Sequence, residues 1–305
     1  MSAVGEAHRA VSRIAKADDG QGKLLRGLGD HLPQPRDFDD WHWLTQLNQA
    51  RAVAFGIRHF RSHAPYCMGT VVWQLNDCWP VVSWSAVDVD GRRKPLWYAL
   101  REAYADRILV VRDGAVYAVN DGPQIWAGPA EPDAAVTVTA PGSDSVPLRV
   151  ARRSLSGATL GEAEMSVDCA PRSVARIELP VELTGPDDKT RELLVAELGG
   201  QRVVEFYAED TEVAFPCADL TAHVDPLGPG EADGYRVTVD AHTLVRDLAL
   251  FPDRLDPAAV ADRALVTLLP GEQGAFEVTG ARLDDPSALK SRPVLRCVNE
   301  ATAPN

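Results

Sequence analysis

At 305 residues the chain is longer than one ordinary domain, since domains cluster near ~100 to 150 residues and single cores stop growing at about 250 to 300. Two or three domains are therefore expected. A formal charge of -13 at pH 7 repels phosphate backbones and anionic membrane surfaces, which argues against nucleic acid as a partner.

From the amino end, Glu6, His8 and Arg9 interrupt any apolar core of signal-peptide length, and no later stretch reaches the ~18 unbroken apolar residues of a membrane span. A soluble, cytoplasmic protein with no membrane partner is expected. Residues 39–64 carry apolar or small groups at helical spacing on two stripes, Trp41, Leu44, Ala52, Phe55 and Leu47, Ala50, Ala54, Ile57. Asp39 and Asp40 can cap this helix. Residues 67–75 form a short, continuous, β-branched apolar run, which predicts a strand buried on both faces of a parallel sheet. Helical spacing resumes over 94–105, with Pro95 suited to the first turn.

Helix, buried parallel strand, long loop and helix is the grammar of a βα repeat, as in a (β/α)8 TIM barrel. A complete barrel needs about 250 residues, so the piece at 1–105 cannot close alone. Beyond residue 106 the period becomes two. Runs 108–112 and 115–119 flank Asp113-Gly114, while 193–198 and 202–207 flank Gly199-Gly200, both hairpin signatures. Further strands are predicted at 135–139, 146–151, 235–240, 244–251, 264–268 and 275–279. The expectation is a multidomain α/β plus all-β chain, in which the barrel end at 1–105 is followed by immunoglobulin-like β-sandwiches at 106–208 and 209–305.

Cys67, Cys78, Cys169, Cys217 and Cys297 are odd in number and widely scattered, which predicts reduced, mostly buried thiols and no disulfide framework. His59 and His63 have the i,i+4 spacing of a metal face but lack the glutamate of an HExxH motif, so no metal is expected.

If 68–75 is a barrel strand, substrate binds where it ends, at Trp73, Asn76 and Asp77. Aromatic rings beside amides and carboxylates suit a sugar, whose C–H face packs on an aromatic plane while its hydroxyls take directional hydrogen bonds. Trp73 is the stronger candidate. Trp79, Trp84 and Trp97 are expected to pack, and Asp88 and Asp90 to build a turn at Gly91.

The run Met-Gly-Thr-Val-Val-Trp-Gln-Leu-Asn-Asp-Cys-Trp-Pro-Val-Val-Ser-Trp-Ser at 68–85, followed by Asp-Gly-Arg-Arg-Lys-Pro-Leu-Trp-Tyr at 90–98, closely resembles the last barrel strand and helix of the β-mannosidases of glycoside hydrolase family 2. Segments 16–20 and 39–50 extend the likeness upstream. Arg58 and Arg93 depart from the pattern, standing where an acid and an aromatic are common. The resemblance implies a retaining exo-hydrolase of terminal β-D-mannose, taking a β-mannoside oligosaccharide and needing no metal or organic cofactor. It carries Trp73 over as a wall of the mannose pocket, with Asn76 and Asp77 beside it.

Retention requires two carboxyl groups about 5 to 5.5 Å apart. In the family both are glutamates on earlier barrel strands, and here no glutamate lies between Glu6 and Glu102. No catalytic residue is therefore assigned, and the chain is expected to be truncated at its amino end, inactive alone and dependent on the missing amino-terminal barrel and domains. Two alternatives are a non-catalytic carbohydrate-binding or structural sandwich protein, and a family 2 hydrolase of β-galactosides or β-glucuronides.

Overall fold

The computed structural model describes residues 19–29, 31–126, 147–228, 233–280 and 282–302. Three helices occupy the first third: α1 (Gly20–Leu28), α2 (Phe38–Arg61) and α3 (Pro95–Ala103). The start of α2 is fixed by Asp37, whose carboxylate accepts from the Asp40 backbone N–H at 2.8 Å. Acids in its first turn and Arg58, His59 and Arg61 in its last complement the helix dipole. The predicted stripe of Leu47, Ala50, Ala54 and Ile57 is buried. The other stripe splits, since Trp41 and Leu44 are buried whereas Ala52 and Phe55 are exposed.

Ala50, Ala54 and Ile57 pack on Leu96, Ala99, Leu100 and Ala103 of α3. The upper turns of α2 present Trp43, Leu44 and Leu47 to Ala249, Ala264 and Val298 near the carboxy end. The helices thus share a core with the last strands of the chain.

The next strands are β1 (Arg107–Arg112), β2 (Ala115–Asn120), β3 (Pro147–Ser154), β4 (Thr159–Ser166), β5 (Ser173–Glu178), β6 (Glu192–Leu198) and β7 (Gln201–Phe206). They form antiparallel sheets in the orders β1-β2-β5 and β4-β3-β6-β7. The two faces meet through Leu109, Val116 and Ala118 on one side and Leu148, Val150 and Leu194 on the other, closed by the buried Trp126. Both predicted hairpins form, with left-handed φ at Asp113 (49°), Gly114 (72°), Gly199 (51°) and Gly200 (78°). Such angles match the right-handed twist of the paired strands.

Then come β8 (Leu220–Pro226), β9 (Gly234–Ala241), β10 (Val245–Leu250), β11 (Val260–Ala261), β12 (Val266–Leu268), β13 (Gln273–Thr279) and β14 (Leu295–Arg296). Their sheets run β11-β13-β9-β8 and β12-β10-β14. Val237, Val239, Phe276 and Val278 pack on Val245, Leu248, Leu250 and Leu295 between them. Strands β4, β5, β8, β11 and β14 were not anticipated, and the strand expected at 135–139 lies outside the described residues.

One expectation fails outright. Residues 67–75 form no strand, and Met68, Val71, Trp73 and Leu75 are exposed. A parallel strand exists only between neighbours that satisfy its backbone groups on both edges, and no described segment pairs with this one along its length. The buried-thiol expectation also holds only in part. Cys169 and Cys297 are buried, Cys78 and Cys217 are exposed, and all five are free.

A polar junction joins the three parts. Arg51 of α2 reaches Asp210, between β7 and β8, at 2.7 Å and donates from Nε to Asp247 of β10 at 2.8 Å. Arg246 pairs with the other Asp210 oxygen at 2.6 Å and lies 3.9 Å from the Phe206 ring centre.

Candidate functional site

Residues 74–94 connect the exposed segment to α3, and their backbone folds around one carboxylate. Asp77 N–H donates to Val87 O at 3.0 Å, Val87 N–H to Leu75 O at 2.8 Å and Lys94 N–H to Ala86 O at 3.0 Å. The Trp73–Gln74 peptide is cis. At the centre the Asp77 side chain is 4% exposed. It accepts from Ser83 Oγ at 2.7 and 2.8 Å and from Ser85 Oγ at 2.5 Å. Lys94 Nζ lies 3.5 Å away and donates to Ser85 Oγ at 2.8 Å.

Burial alone would raise the Asp77 pKa, but the hydroxyls of Ser85 and Ser83 and the Lys94 ammonium hold it below the usual carboxylate range. Burial likewise lowers the Lys94 pKa, and the attraction of Asp77 only partly opposes it. The two groups thus find their polar partners within the loop. Asp77 is thereby a fastener of the loop. Its oxygens face Ser83, Ser85 and Lys94.

Asn76 is exposed, and its Nδ2 donates to the Asp77 carbonyl at 3.2 Å. Trp73 stands 73% exposed and Trp84 59%, and Tyr66, Met68, Val71 and Leu75 are exposed as well. Gln49 of α2 fixes the Trp84 backbone by donating to its carbonyl at 2.7 Å. Trp97 packs as expected, under Arg93 at 4.1 Å and edge-on to Tyr98. A guanidinium over an indole face is attracted by the ring quadrupole, which gives Arg93 a local partner. Asp88 and Asp90 build the predicted turn, with Asp88 Oδ1 accepting from the N–H groups of Asp90 and Arg92, both at 2.9 Å.

The structure therefore separates the three predicted site residues by role. Trp73 presents a ring outward, Asn76 braces a turn, and Asp77 is turned inward. Sequence reasoning missed Ser83, Ser85 and Lys94 as partners of Asp77. The signal was the Ser-Trp-Ser alternation, because an extended backbone points residues i and i+2 the same way.

At His59 and His63, Arg112 Nη1 lies 2.8 and 3.2 Å from the two Nδ1 atoms. A fixed cation stands where a metal would bind, and the same His63 Nδ1 lies 2.8 Å from the His59 carbonyl, an oxygen that can only accept. Among the described residues no cluster of three or more metal-ligating side chains occurs, and no helix is long and apolar enough to cross a membrane.

No family model matches the chain. Beta-mannosidase B of Aspergillus niger is 39% identical over 88 residues, 28% of this chain and 10% of the relative. The Emericella nidulans beta-mannosidase B is 36% identical over 100 residues, 32% of this chain and 12% of the relative. Among solved structures, the β-D-mannosidase of Dictyoglomus thermophilum superposes with a TM-score of 0.73 at 21% identity, covering 95% of this chain and 33% of that one. An exo-chitosanase of Amycolatopsis orientalis gives a TM-score of 0.57 at 13% identity over 80% of this chain and 32% of its own. The resemblance to β-mannosidases read from the residues is thus found in curated sequences, and the sheet-rich fold is shared with a β-mannosidase. The chain spans about a third of the solved relatives, and its sequence match about a tenth of the curated ones.

Proposed function

We propose that the chain supplies the carboxy-terminal part of a glycosidase of the β-mannosidase type, in which α2, 67–75 and α3 end a (β/α)8 barrel and the two strand groups brace it. The observation that carries this reading is the combination at 73–84. Hydrogen bonds around Asp77 hold the loop, yet Trp73 and Trp84 stand exposed at its two ends. A packing aromatic would be covered, whereas a rim for a sugar ring, or a seat for further barrel strands, must be open before its partner arrives. In the assembled enzyme Trp73 would form an apolar wall against the C–H face of a terminal β-mannoside. It would exclude water and hold the ring toward an acid and a nucleophile contributed by earlier strands. The mechanism is read as retaining, with no catalytic residue assigned to this chain and no cofactor.

The experiment is hydrolysis of 4-nitrophenyl glycosides by two preparations, the 305-residue chain and the polypeptide containing the sequence encoded upstream of it in frame. The expected result is no turnover by the chain alone and turnover by the longer polypeptide, with β-mannoside preferred over β-galactoside and β-glucuronide. Turnover by the chain alone, or a preference for another glycoside, overturns the reading.

A further inference from the structure

Away from Trp73, the fold leaves a cavity of about 190 Å3 where residues 90–98 face 250–264. Its walls include Tyr98 and Phe251 together with Asp90, Arg92, Arg93 and Asp253. Two carboxylates and two guanidiniums line it, so their formal charges cancel. Their engagement differs. Arg92 already pairs with Asp88 at 3.1 Å and Asp90 at 2.8 Å. Arg93 has its guanidinium over Trp97, which leaves its N–H groups free to donate at the edge. Asp253 makes no ion pair among the described residues, and burial raises its pKa above the ordinary carboxylate value. The Tyr98 hydroxyl donates to Ala261 O at 3.0 Å, which leaves its oxygen as an acceptor.

We propose that this cleft binds a single neutral polyol ring of monosaccharide size, with the Asp253 carboxylate accepting from its hydroxyls and Arg93 donating to another. Size limits the ligand to one ring, because pockets for drug-sized molecules begin near ~300 Å3. Charge selects a neutral ligand, since an anion would face Asp90 and Asp253 and a cation would face Arg92 and Arg93. The mixture of acceptors, donors and two aromatic walls matches hydroxyls around an apolar ring. The inference does not rest on the glycosidase reading, and Trp73 is not part of the cleft.

Titration of the isotopically labelled chain with mannose, glucose and N-acetylglucosamine, followed by amide chemical shifts, tests it. At least one sugar should give saturable shifts centred on 90–98 and 250–254, unchanged in Trp73→Ala. Asp253→Asn, a shape-conserving change at a half-buried site, should weaken that binding about tenfold or more, as expected for one charge-assisted hydrogen bond. Inorganic phosphate and a diamine serve as charged probes. Saturable shifts from either at this cleft, shifts from sugars confined to the Trp73 face, or none up to the solubility limit overturn the proposal. Failure of the glycoside assay would leave it standing.

Discussion

Lys94 Nζ lies 3.5 Å from the Asp77 carboxylate and 2.8 Å from the Ser85 hydroxyl that donates to the same carboxylate. The contact spans seventeen residues and closes the loop at the base of α3. Asp77→Ala would leave the largely buried ammonium of Lys94 and two hydroxyls without their acceptor. Breaking a buried pair from one side typically costs about 3 to 5 kcal/mol, and the long separation here lowers the expectation to about 2 to 4. The urea midpoint of Asp77→Ala should fall accordingly, and that of Ser85→Ala by less. A midpoint within error of the parent would show that the cluster does not stabilise the loop.

Trp73 should behave in the opposite way. Its ring is mostly exposed, so Trp73→Ala should change the chain's stability by less than about 0.5 kcal/mol. In an assembled enzyme the same change should lower kcat/KM by about a hundredfold or more, because it removes a stacking surface and the positioning that depends on it. A stability loss comparable to that of Asp77→Ala would identify Trp73 as a packing residue.

The contrast between these residues shows what the sequence could reveal. Elements whose stabilising partners lie nearby were legible: α2 from its stripe of Leu47, Ala50, Ala54 and Ile57, and the hairpins from Asp113-Gly114 and Gly199-Gly200. The segment at 67–75 read as a strand because buried strands carry the same short, β-branched apolar run, while pairing, which the run alone does not reveal, is not found for it among the described residues. Strand β4 was missed because its one half-buried face carries Gly161, Ala163 and Met165 between exposed residues, too weak an alternation to stand out. At the candidate site, the outward position of Trp73, whose ring stands exposed, was legible as the end of the apolar run. The inward turn of Asp77 was not, since it depends on Ser83, Ser85 and Lys94 converging from six, eight and seventeen positions away.

His42 gives a pH-dependent test. Burial, and then the neighbouring Arg254, push its pKa down to about 4, with Arg254 Nη2 donating to Nδ1 at 3.0 Å. In the unfolded chain the imidazole takes a proton near pH ~6.5. Between those values the unfolded state binds a proton that the fold refuses, so stability falls as pH drops from about 6.5 to 4 and this loss ends below about 4. Discounted for partial exposure, the loss is about 2 kcal/mol. His42→Gln keeps an acceptor for Arg254 and should flatten that limb of the stability curve relative to the parent. Parallel curves for the two proteins would contradict the assignment.

Limited chymotryptic digestion should cut first within 66–76, where Tyr66, Met68, Trp73 and Leu75 are exposed, rather than within the pinned loop that follows. The two products should co-elute, since α2 packs on both α3 and the carboxy-terminal strands. First cleavage between β7 and β8, or separation of the products, would show that the helices are not docked in this way.

Arg51 provides the last test, because it is the only helix residue in the ion-pair junction with Asp210, Asp247 and Arg246 described above. Two effects of Arg51→Ala oppose each other. Removing it would relieve Arg246, whose pKa is held down to about 10 by burial and by the adjacent Arg51 cation. It would also leave the Asp210 side chain, only 2% exposed, with one cation in place of two, and would deprive Asp247 of its strongest donor. The second effect should prevail, since Arg246 can satisfy one carboxylate well but not both, and losing one partner of a buried pair costs about 3 to 5 kcal/mol. Asp210 lies between β7 and β8, so the damage falls where the two strand groups and α2 meet. Arg51→Ala should therefore lower the unfolding midpoint and also split the transition. Near-ultraviolet signals from Trp43 and Tyr98, which are buried where the helices meet the carboxy-terminal strands, should be lost before that of Trp126 in the first sandwich. Coincident transitions at an unchanged midpoint would mean that the hydrophobic contacts alone join the parts, and that the ion-pair junction contributes nothing measurable.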